Sequence, residues 1–523
     1  MGESELLEGT LEPVQRRASG APRQTWITLL HHPDLRRIGE VAGPIAARQA
    51  LSRLEPRFGA PGHGGAPLGD RHLSRTPLWL SDDGEGGLVL SPESGGAAVQ
   101  ADGVPVKAPL RLSPERLARG VILELAGRVL ALVHTRAPFR PSAAARELIG
   151  ESEALADLRD AIARVADLDT PVLLRGETGT GKELVARGIH ESGPRGRGPF
   201  VAVNMAAIPP STAASELFGH RRGAFTGALR DHRGVFEQAS GGTLLLDEIG
   251  AAPPELQAML LRALETGLIR PVGGDEDVRV DVRVVAATDE DLEAAVAEGA
   301  FRAPLLHRLA SYSIHLPPLR ERREDLGRLV CHFLRLELAP LGEAHLLERP
   351  GAEEPWLPAQ VMLAFARHGW PGNVRQLRNA VRQLVISSRG SSVARLDPAL
   401  QAMLAAAPPG PAPAPAAAAE ERALAPRPRR APSEIDDDLL LETMRRVGWK
   451  PTRAAAELGI SKTSLYALME RCPRIRKAKD VSRDELAGAL EACGGDLDAA
   501  AARLEVSRRG LQLRLRDLDM GRD

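Results

Sequence analysis

Three short stretches carry the side chains that could do chemistry. The run VLLRGETGTGKE leaves an apolar segment at Val172 and sets Gly176, Gly179, Gly181 and Lys182 in a G-x-x-x-x-G-K spacing. Glycines let backbone N–H groups wrap a polyphosphate, and the helix start that follows adds partial positive charge. Lys182 places a point charge on the outer phosphates. Glu177, Thr178 and Thr180 complete the loop, so Gly176 to Glu183 are candidate nucleotide contacts. A Ser or Thr usually follows the lysine and binds Mg²⁺; here it is Glu183, and the metal must use another group. TLLLDEIG supplies one: Asp247 can hold Mg²⁺ directly or through water, and Glu248 can orient or deprotonate the attacking water. ATP and Mg²⁺ are therefore the expected cofactors. The plainer reading of Asp247 and Glu248 is an acidic pair at a helix cap.

Phosphoryl transfer spreads negative charge over the transferred group, and an arginine from a neighbouring subunit can stabilise it. Arg302 and Arg308 in FRAPLLHRL are candidates, against the alternative of solvated surface arginines. Arg375, in WPGNVRQLRNAV, follows a Trp-Pro-Gly turn at a helix start, from which it could reach the γ-phosphate as part of a lid. A different chemistry is implied by GHRRGAFTGA, residues 219–228, where Phe225 is the one large apolar side chain between Gly223 and Gly227. Spacing alone allows a surface turn whose phenylalanine tucks into the core, or a loop that moves and touches a partner.

The elements that must position these groups alternate along the chain. TPVLLRG, GGTLLLDE and VRVVAATD read as buried strands, with helical stretches such as PPELQAMLLRALETG between them. That alternation predicts a parallel sheet covered by helices over residues 146–336, followed by a helical lid over 337–400. Residues 25–136 alternate apolar and polar with Asp-Gly turns, which predicts an antiparallel β domain behind a disordered segment 1–24. Residues 401–432 form a Pro/Ala-rich linker. Beyond it, 433–479 and 480–523 read as two similar helical units. The formal net charge of −1 gives no global field for nucleic acid, so any basic patch is local. Cys331, Cys472 and Cys493 have no paired spacing, which fits a reducing cytoplasm. The first residues lack the apolar core of a signal peptide, and GVILELAGRVLALVH is too short and too charged to cross a bilayer.

From Arg146 to Arg389 the motifs GETGTGKELVARGIH, FVAVNMAAIP, SELFGHRRGAFTGA, GGTLLLDEIG, LPPLRERREDL and WPGNVRQLRNAV resemble the sigma-54-dependent transcription activators, bacterial enhancer-binding proteins of the AAA+ class. The resemblance implies a multidomain chain with an α/β AAA+ P-loop ATPase and helical lid at its centre. It also implies that Gly223, Ala224, Phe225, Thr226, Gly227 and Ala228 form a loop that ATP hydrolysis drives against sigma-54, with Phe225 and Thr226 in contact. Asn204 falls where the family holds the catalytic glutamate, here Glu248; Thr288 lies in the first sensor and Arg375 in the second. Arg302 and Arg308 occupy the places of trans-acting arginines, which implies active sites between subunits and a ring, usually a hexamer. Glu183 after the lysine is a habit of this family. The chain departs from the family pattern at Asp289, where Asn is usual, at Arg221, where an acid is common, and between Arg302 and Arg308, where acidic and aromatic residues are missing.

GWKPTRAAAELGISKTSLYALME has a helix-turn-helix cadence and resembles a Fis-type DNA-binding unit, with Ser461, Lys462, Thr463, Ser464 and Tyr466 on or beside its reading helix. GGDLDAAAARLEVSRRGLQLRLRDL repeats it, with Arg508 and Arg509 as contact candidates; either both copies read DNA or one packs as a dimer element. The N-terminal region resembles a forkhead-associated β-sandwich through Ser74-Arg75, but has Pro77, Glu40 and Asp102-Gly103 where that family has His, a phosphate-binding Arg and Asn-Gly. A phosphoprotein or other protein partner is the corresponding expectation. The whole implies a cytoplasmic, membrane-free activator that binds upstream DNA and remodels sigma-54 RNA polymerase holoenzyme. Two alternatives are a DNA-binding repressor whose ATPase core only assembles it, and an AAA+ motor for another substrate, which would not need Phe225 and Thr226.

Overall fold

Alternating apolar residues build a two-layer antiparallel sandwich in the computed structural model, which describes residues 23–405 apart from 46, 62, 141–144, 146 and 349–354, and stretches within 437–514. Its strands are β1 (Gln24–His31), β2 (Val41–Ala42), β3 (Arg48–Leu51), β4 (Leu78–Asp82), β5 (Leu88–Pro92), β6 (Val99–Ala101), β7 (Val104–Pro105), β8 (Leu110–Leu112), β9 (Val121–Leu125) and β10 (Val129–Arg136). One sheet runs β2-β1-β10-β9-β6-β7 and the other β3-β4-β5-β8. Ile27, Leu29, Leu80, Leu90, Leu123 and Val133 fill the space between them. Helix α1 (Pro114–Arg119) leads into β9, with Ser113 accepting from the Arg116 N–H as its cap. The apolar stretch GVILELAGRVLALVH is the β9–β10 hairpin, turned at Ala126-Gly127 with φ of 51° and 66°.

Strand β10 breaks the alternation, because nearly all of it is buried. Ala131 and Val133 face the sandwich core, while Leu130 and Leu132 join a second core with Phe333, Met362, Phe365 and Leu384 of the lid. Each buried leucine contributes about 1.5–3 kcal/mol, so the sandwich and lid are held by shared apolar packing. Polar contacts reinforce the seam. Arg323 donates to the carbonyls of Arg119 (3.1 Å), Gly120 (2.9 Å) and Ala366 (3.1 Å), and Arg328 donates to that of Gly39.

The central sheet consists of β11 (Val172–Arg175), β12 (Phe200–Asn204), β13 (Thr243–Asp247), β16 (Arg283–Thr288) and β17 (Tyr312–His315), in the order β12-β13-β16-β11-β17, all parallel; β14 (Leu268–Ile269) and β15 (Val278–Arg279) pair in a separate small ribbon. Strands β13 and β16 are almost continuously buried, as the apolar runs predict for a sheet covered on both faces. The covering helices are α2 (Glu153–Val165), α3 (Lys182–Ser192), α4 (Pro210–Phe218), α5 (Val235–Gln238), α6 (Pro254–Thr266), α7 (Leu292–Ala297) and α8 (Ala303–Leu309). The lid follows as α9 (Leu326–Leu338), α10 (Ala359–Arg367), α11 (Asn373–Ser387) and α12 (Pro398–Ala405). Helix α9 runs straight through the expected 336/337 boundary, because its apolar face belongs to the lid core from Leu326 onward. Residues 401–405, expected as the start of the linker, belong to α12; linker residues 406–432 and residues 1–22 lie outside the described set.

The chain divides into two compact units, Met1–Gly410 and Pro411–Asp523. In the second, helix Asp437–Arg446 contributes Leu440, Leu441 and Met444 to a small core with Trp449, Leu458 and Leu465. Helix Arg483–Ala492 opens on a reciprocal cap, in which Ser482 accepts from the Glu485 N–H while Glu485 accepts from the Ser482 N–H. Among the described residues no helix is long and apolar enough to cross a membrane.

Candidate functional site

The parallel register brings the chemically competent residues to one edge. Arg175 at the end of β11 is level with Thr288 at the end of β16, and Asn204 of β12 is level with Asp247 of β13. Ligands of such sheets bind outside the carboxyl ends of the strands. The glycine loop starts there: the Gly176 N–H donates to the Thr288 carbonyl at 3.2 Å, and Gly181, with φ of 106°, is the N-cap of α3. Thr180 closes the loop through its hydroxyl on the Glu177 carbonyl at 2.8 Å. Lys182 donates to the Gly176 carbonyl at 2.7 Å. Burial lowers the Lys182 pKa, opposed by the nearby charges of Asp289, Asp247 and Glu248. Burial also pushes Asp247 up, opposed by the Glu248 N–H that its Oδ1 accepts at 3.0 Å and by Lys182. Glu248 is half-buried with φ of 54°, a left-handed backbone that costs about 1–3 kcal/mol away from glycine and persists where the surroundings impose it. Glu183 is exposed and paired with Arg187 one turn along.

The sensor candidates are placed differently from one another. Thr288 is buried and its hydroxyl accepts from the Glu290 N–H at 3.0 Å. Asp289, the departure from the family pattern, accepts the Thr178 hydroxyl and so ties the sensor strand to the glycine loop. Asn204 uses its side-chain carbonyl to accept from the N–H groups of Ala206 and Ala207, at 2.9 and 3.2 Å, and makes no hydrogen bond to Glu248 in this arrangement. The Arg375 guanidinium is exposed and free of hydrogen bonds among the described residues, yet close enough for its charge to lower the Lys182 pKa. Arg302 is exposed, its backbone N–H held by Gln257 Oε1 at 2.8 Å and its guanidinium without a hydrogen bond among the described residues; Arg308 is tied to the Leu264 carbonyl at 3.0 Å.

Three side chains that sequence reasoning passed over join the lid to the glycine loop. Asn373 opens α11 with φ of 51° and is fully buried. Its Oδ1 accepts from the Leu319 N–H at 2.8 Å, while its Nδ2 donates to Glu177 Oε2 at 3.0 Å and to the Thr178 carbonyl at 3.1 Å. Arg320 forks onto the Glu177 carboxylate at 2.8 and 2.6 Å, which holds Glu177 below the usual carboxylate range. Buried Arg322 donates to the Thr180 carbonyl at 3.2 Å. The signals were present in LRERRED and in the Asn after Pro-Gly, but only contact geometry selects these arginines from their neighbours. Among the described residues no His, Cys, Asp and Glu group of three or more could hold a metal alone. Asp247 keeps Oδ2 without a hydrogen bond, which suits one protein oxygen completing a Mg²⁺ shell made mostly of phosphate and water.

Residues 219–231 form a loop with a fixed base and an open tip. Arg221 pairs with Asp231 at 3.1 Å and the Arg222 N–H donates to the same carboxylate at 2.8 Å, so the unusual Arg221 is neutralised locally. His220 accepts or donates at Ser215 Oγ (2.7 Å) and meets the Phe225 ring edge-on at 4.9 Å. Gly223 and Gly227 have φ of 86° and 106°, and the Gly223 N–H donates to the Ala228 carbonyl at 2.8 Å. Phe225 is 46% exposed and Thr226 is exposed, whereas Ala224 is half-buried and Ala228 is buried. Leu229, which the sequence reading did not single out, is 86% exposed beside them. Ser461, Lys462, Thr463, Ser464, Tyr466, Arg508 and Arg509 lie outside the described residues.

Three family models match the chain: the sigma-54 interaction domain over residues 148–315, the AAA+ ATPase lid domain over 320–410, and the bacterial regulatory protein Fis family over 431–471 and 477–518. The DNA-binding transcriptional regulator NtrC of Klebsiella pneumoniae is 49% identical over 251 residues, 48% of this chain and 52% of its own. The regulator of the same name from Azospirillum brasilense is 40% identical over 373 residues, 71% of this chain and 69% of its own. A crystal structure of NtrX from Brucella abortus in complex with ADP is 31% identical, covering 71% of this chain and 70% of its own, with a TM-score of 0.44. Thus the chain spans about half the length of the first of these curated relatives.

Proposed function

The chain belongs to the NtrC-type sigma-54-dependent transcriptional activators, and from that membership we propose that it hydrolyses ATP to remodel sigma-54 RNA polymerase holoenzyme for open-complex formation. The observation that carries this reading is the meeting of Lys182, Asp247, Glu248 and Thr288 at the carboxyl edge of one parallel sheet. The glycine loop and the start of α3 bind the triphosphate, and Lys182 neutralises its outer phosphates. Glu248 draws the proton from the attacking water. Bound Mg²⁺, held through Asp247, would neutralise charge on the phosphates. Arg375 reports on the γ-phosphate from the lid. Arg302, exposed and unpaired, serves a neighbouring protomer's site, with Arg308 beside it; this requires a ring, which we take as a hexamer. Asn204 would leave its caps to restrain Glu248 at one stage of the cycle.

Phe225 and Thr226 press on sigma-54 at the tip of a loop whose glycines tolerate the excursion. The Fis-type units hold the ring on upstream DNA through Ser461, Lys462, Thr463, Ser464 and Tyr466 and, in the second copy, Arg508 and Arg509. The protein acts in the cytoplasm. The test is ATP turnover and open-complex formation with sigma-54 holoenzyme, for the wild type and for Thr226→Ala. Retained turnover with lost open complexes supports the reading; unchanged open-complex formation by Thr226→Ala sinks it.

A further inference from the structure

A cavity of about 260 Å³, partly open to solvent, lies between the two sheets of the sandwich. Leu51 and Leu78 line it from one sheet and Leu125 from the other. Its polar lining includes two cations, Arg53 and Lys107, and one anion, Glu93. Glu93 already accepts the Trp79 indole N–H at 3.2 Å. Arg53 is half-buried, and neither its guanidinium nor the Lys107 ammonium makes a hydrogen bond or ion pair among the described residues. Small-molecule sites have this character: a mainly apolar hollow with a few convergent polar groups that fix orientation. The volume suits a small molecule.

We propose that this cavity binds a small amphipathic carboxylate, its apolar chain between the sheets and its carboxylate on Arg53 and Lys107. Apolar walls supply affinity by burial, and the unpaired cations select a single negative head group. The site is placed to be read by the rest of the molecule. Strand β9 carries Leu125 in the cavity wall and Ile122 in the core shared with the lid, and Arg323 donates to the Gly120 carbonyl just ahead of that strand. The site is independent of the proposed ATPase reaction, because binding is measured directly.

The experiment is calorimetric titration of the full chain with octanoate and with octan-1-ol, for the wild type, for Lys107→Glu, and for Arg53→Glu/Lys107→Glu. Octanoate is expected to bind the wild type roughly tenfold more tightly than the alcohol, and the double reversal is expected to remove that preference without weakening the alcohol. The single reversal should remove part of it, and keeps the test open if the double variant does not fold. Absence of octanoate binding, or binding unaffected by either reversal, overturns the proposal. So does binding of a phosphothreonine peptide by a protein that ignores octanoate.

Discussion

Two glycine-bearing loops carry the proposed work, and they are built in opposite ways. In the 176–182 loop a Cβ at Gly179 would run into Gly372 and Arg375 of the lid, so this glycine exists for close approach. In the 219–231 loop a Cβ at Gly223 or Gly227 would meet nothing within 4 Å, so these glycines exist only for their backbone angles. Glu177, Thr178 and Thr180 of the first loop are each held by side chains from elsewhere in the molecule. The second loop is fixed at its base by Asp231 and leaves Phe225, Thr226 and Leu229 to solvent. A loop that must hold reacting atoms is over-determined by contacts; a loop that must travel is given few to break.

The sharpest separation is expected from Glu248→Gln, which should cut ATP turnover by roughly 10²–10⁴-fold, as loss of a general base does, and leave the partner-facing tip intact. Steady-state phosphate release measures it. Phe225→Ala should do the reverse, with turnover within about twofold of wild type and no gain or loss of folded stability beyond about 0.5 kcal/mol, as for other exposed sites, while open complexes disappear. If Phe225→Ala also stopped turnover, the two loops would not be the separate devices described.

Acid should also act at the seam between sandwich and lid. His31 places Nδ1 2.9 Å from the Arg128 carbonyl and Nε2 2.8 Å from the Leu357 carbonyl, joining sandwich to lid. Two acceptors would favour the protonated ring, but burial outweighs them and lowers the pKa from 6.5 to about 4. The unfolded ring takes up its proton first, so this contribution to stability is complete above pH 6.5 and falls as pH drops toward 4, by up to about 1.4 kcal/mol per pH unit. Buried Asp325, raised from 3.8 to about 6 by burial, has the opposite sign, so denaturation of His31→Gln beside wild type isolates the histidine.

Asn373→Ala should cost about 1–3 kcal/mol by stranding the buried Leu319 N–H, and should weaken nucleotide binding through Glu177. Chemical denaturation and nucleotide titration check the two effects. Smallest is Gly227→Ala, which meets open space and only backbone strain of about 1–2 kcal/mol; its expected signature is a weaker transcriptional response at nearly normal turnover.

The glycine loop was legible because a G-x-x-x-x-G-K spacing after an apolar strand leaves few foldable alternatives, and Asp247-Glu248 end a short run of leucines that reads as a buried strand. The Asn373, Arg320 and Arg322 contacts were not legible, since they join residues more than a hundred positions apart. Leu229 was missed for another reason: one leucine after Ala228 gives no hint whether it points inward or out.

Local pattern by itself determined the strand and helix types, the phosphate loop and the acidic pair, because each follows from spacing along a few residues; the same spacing left Phe225 free to face the core or the solvent, and only the structure exposes it. Tertiary structure alone decided that β10 is covered on both faces, that the sandwich shares a core with the lid, and that a cavity with two unpaired cations opens between its sheets. Those outcomes depend on which distant surfaces meet. Hydrophobic burial, which is non-directional, does not encode that choice in any single stretch of sequence.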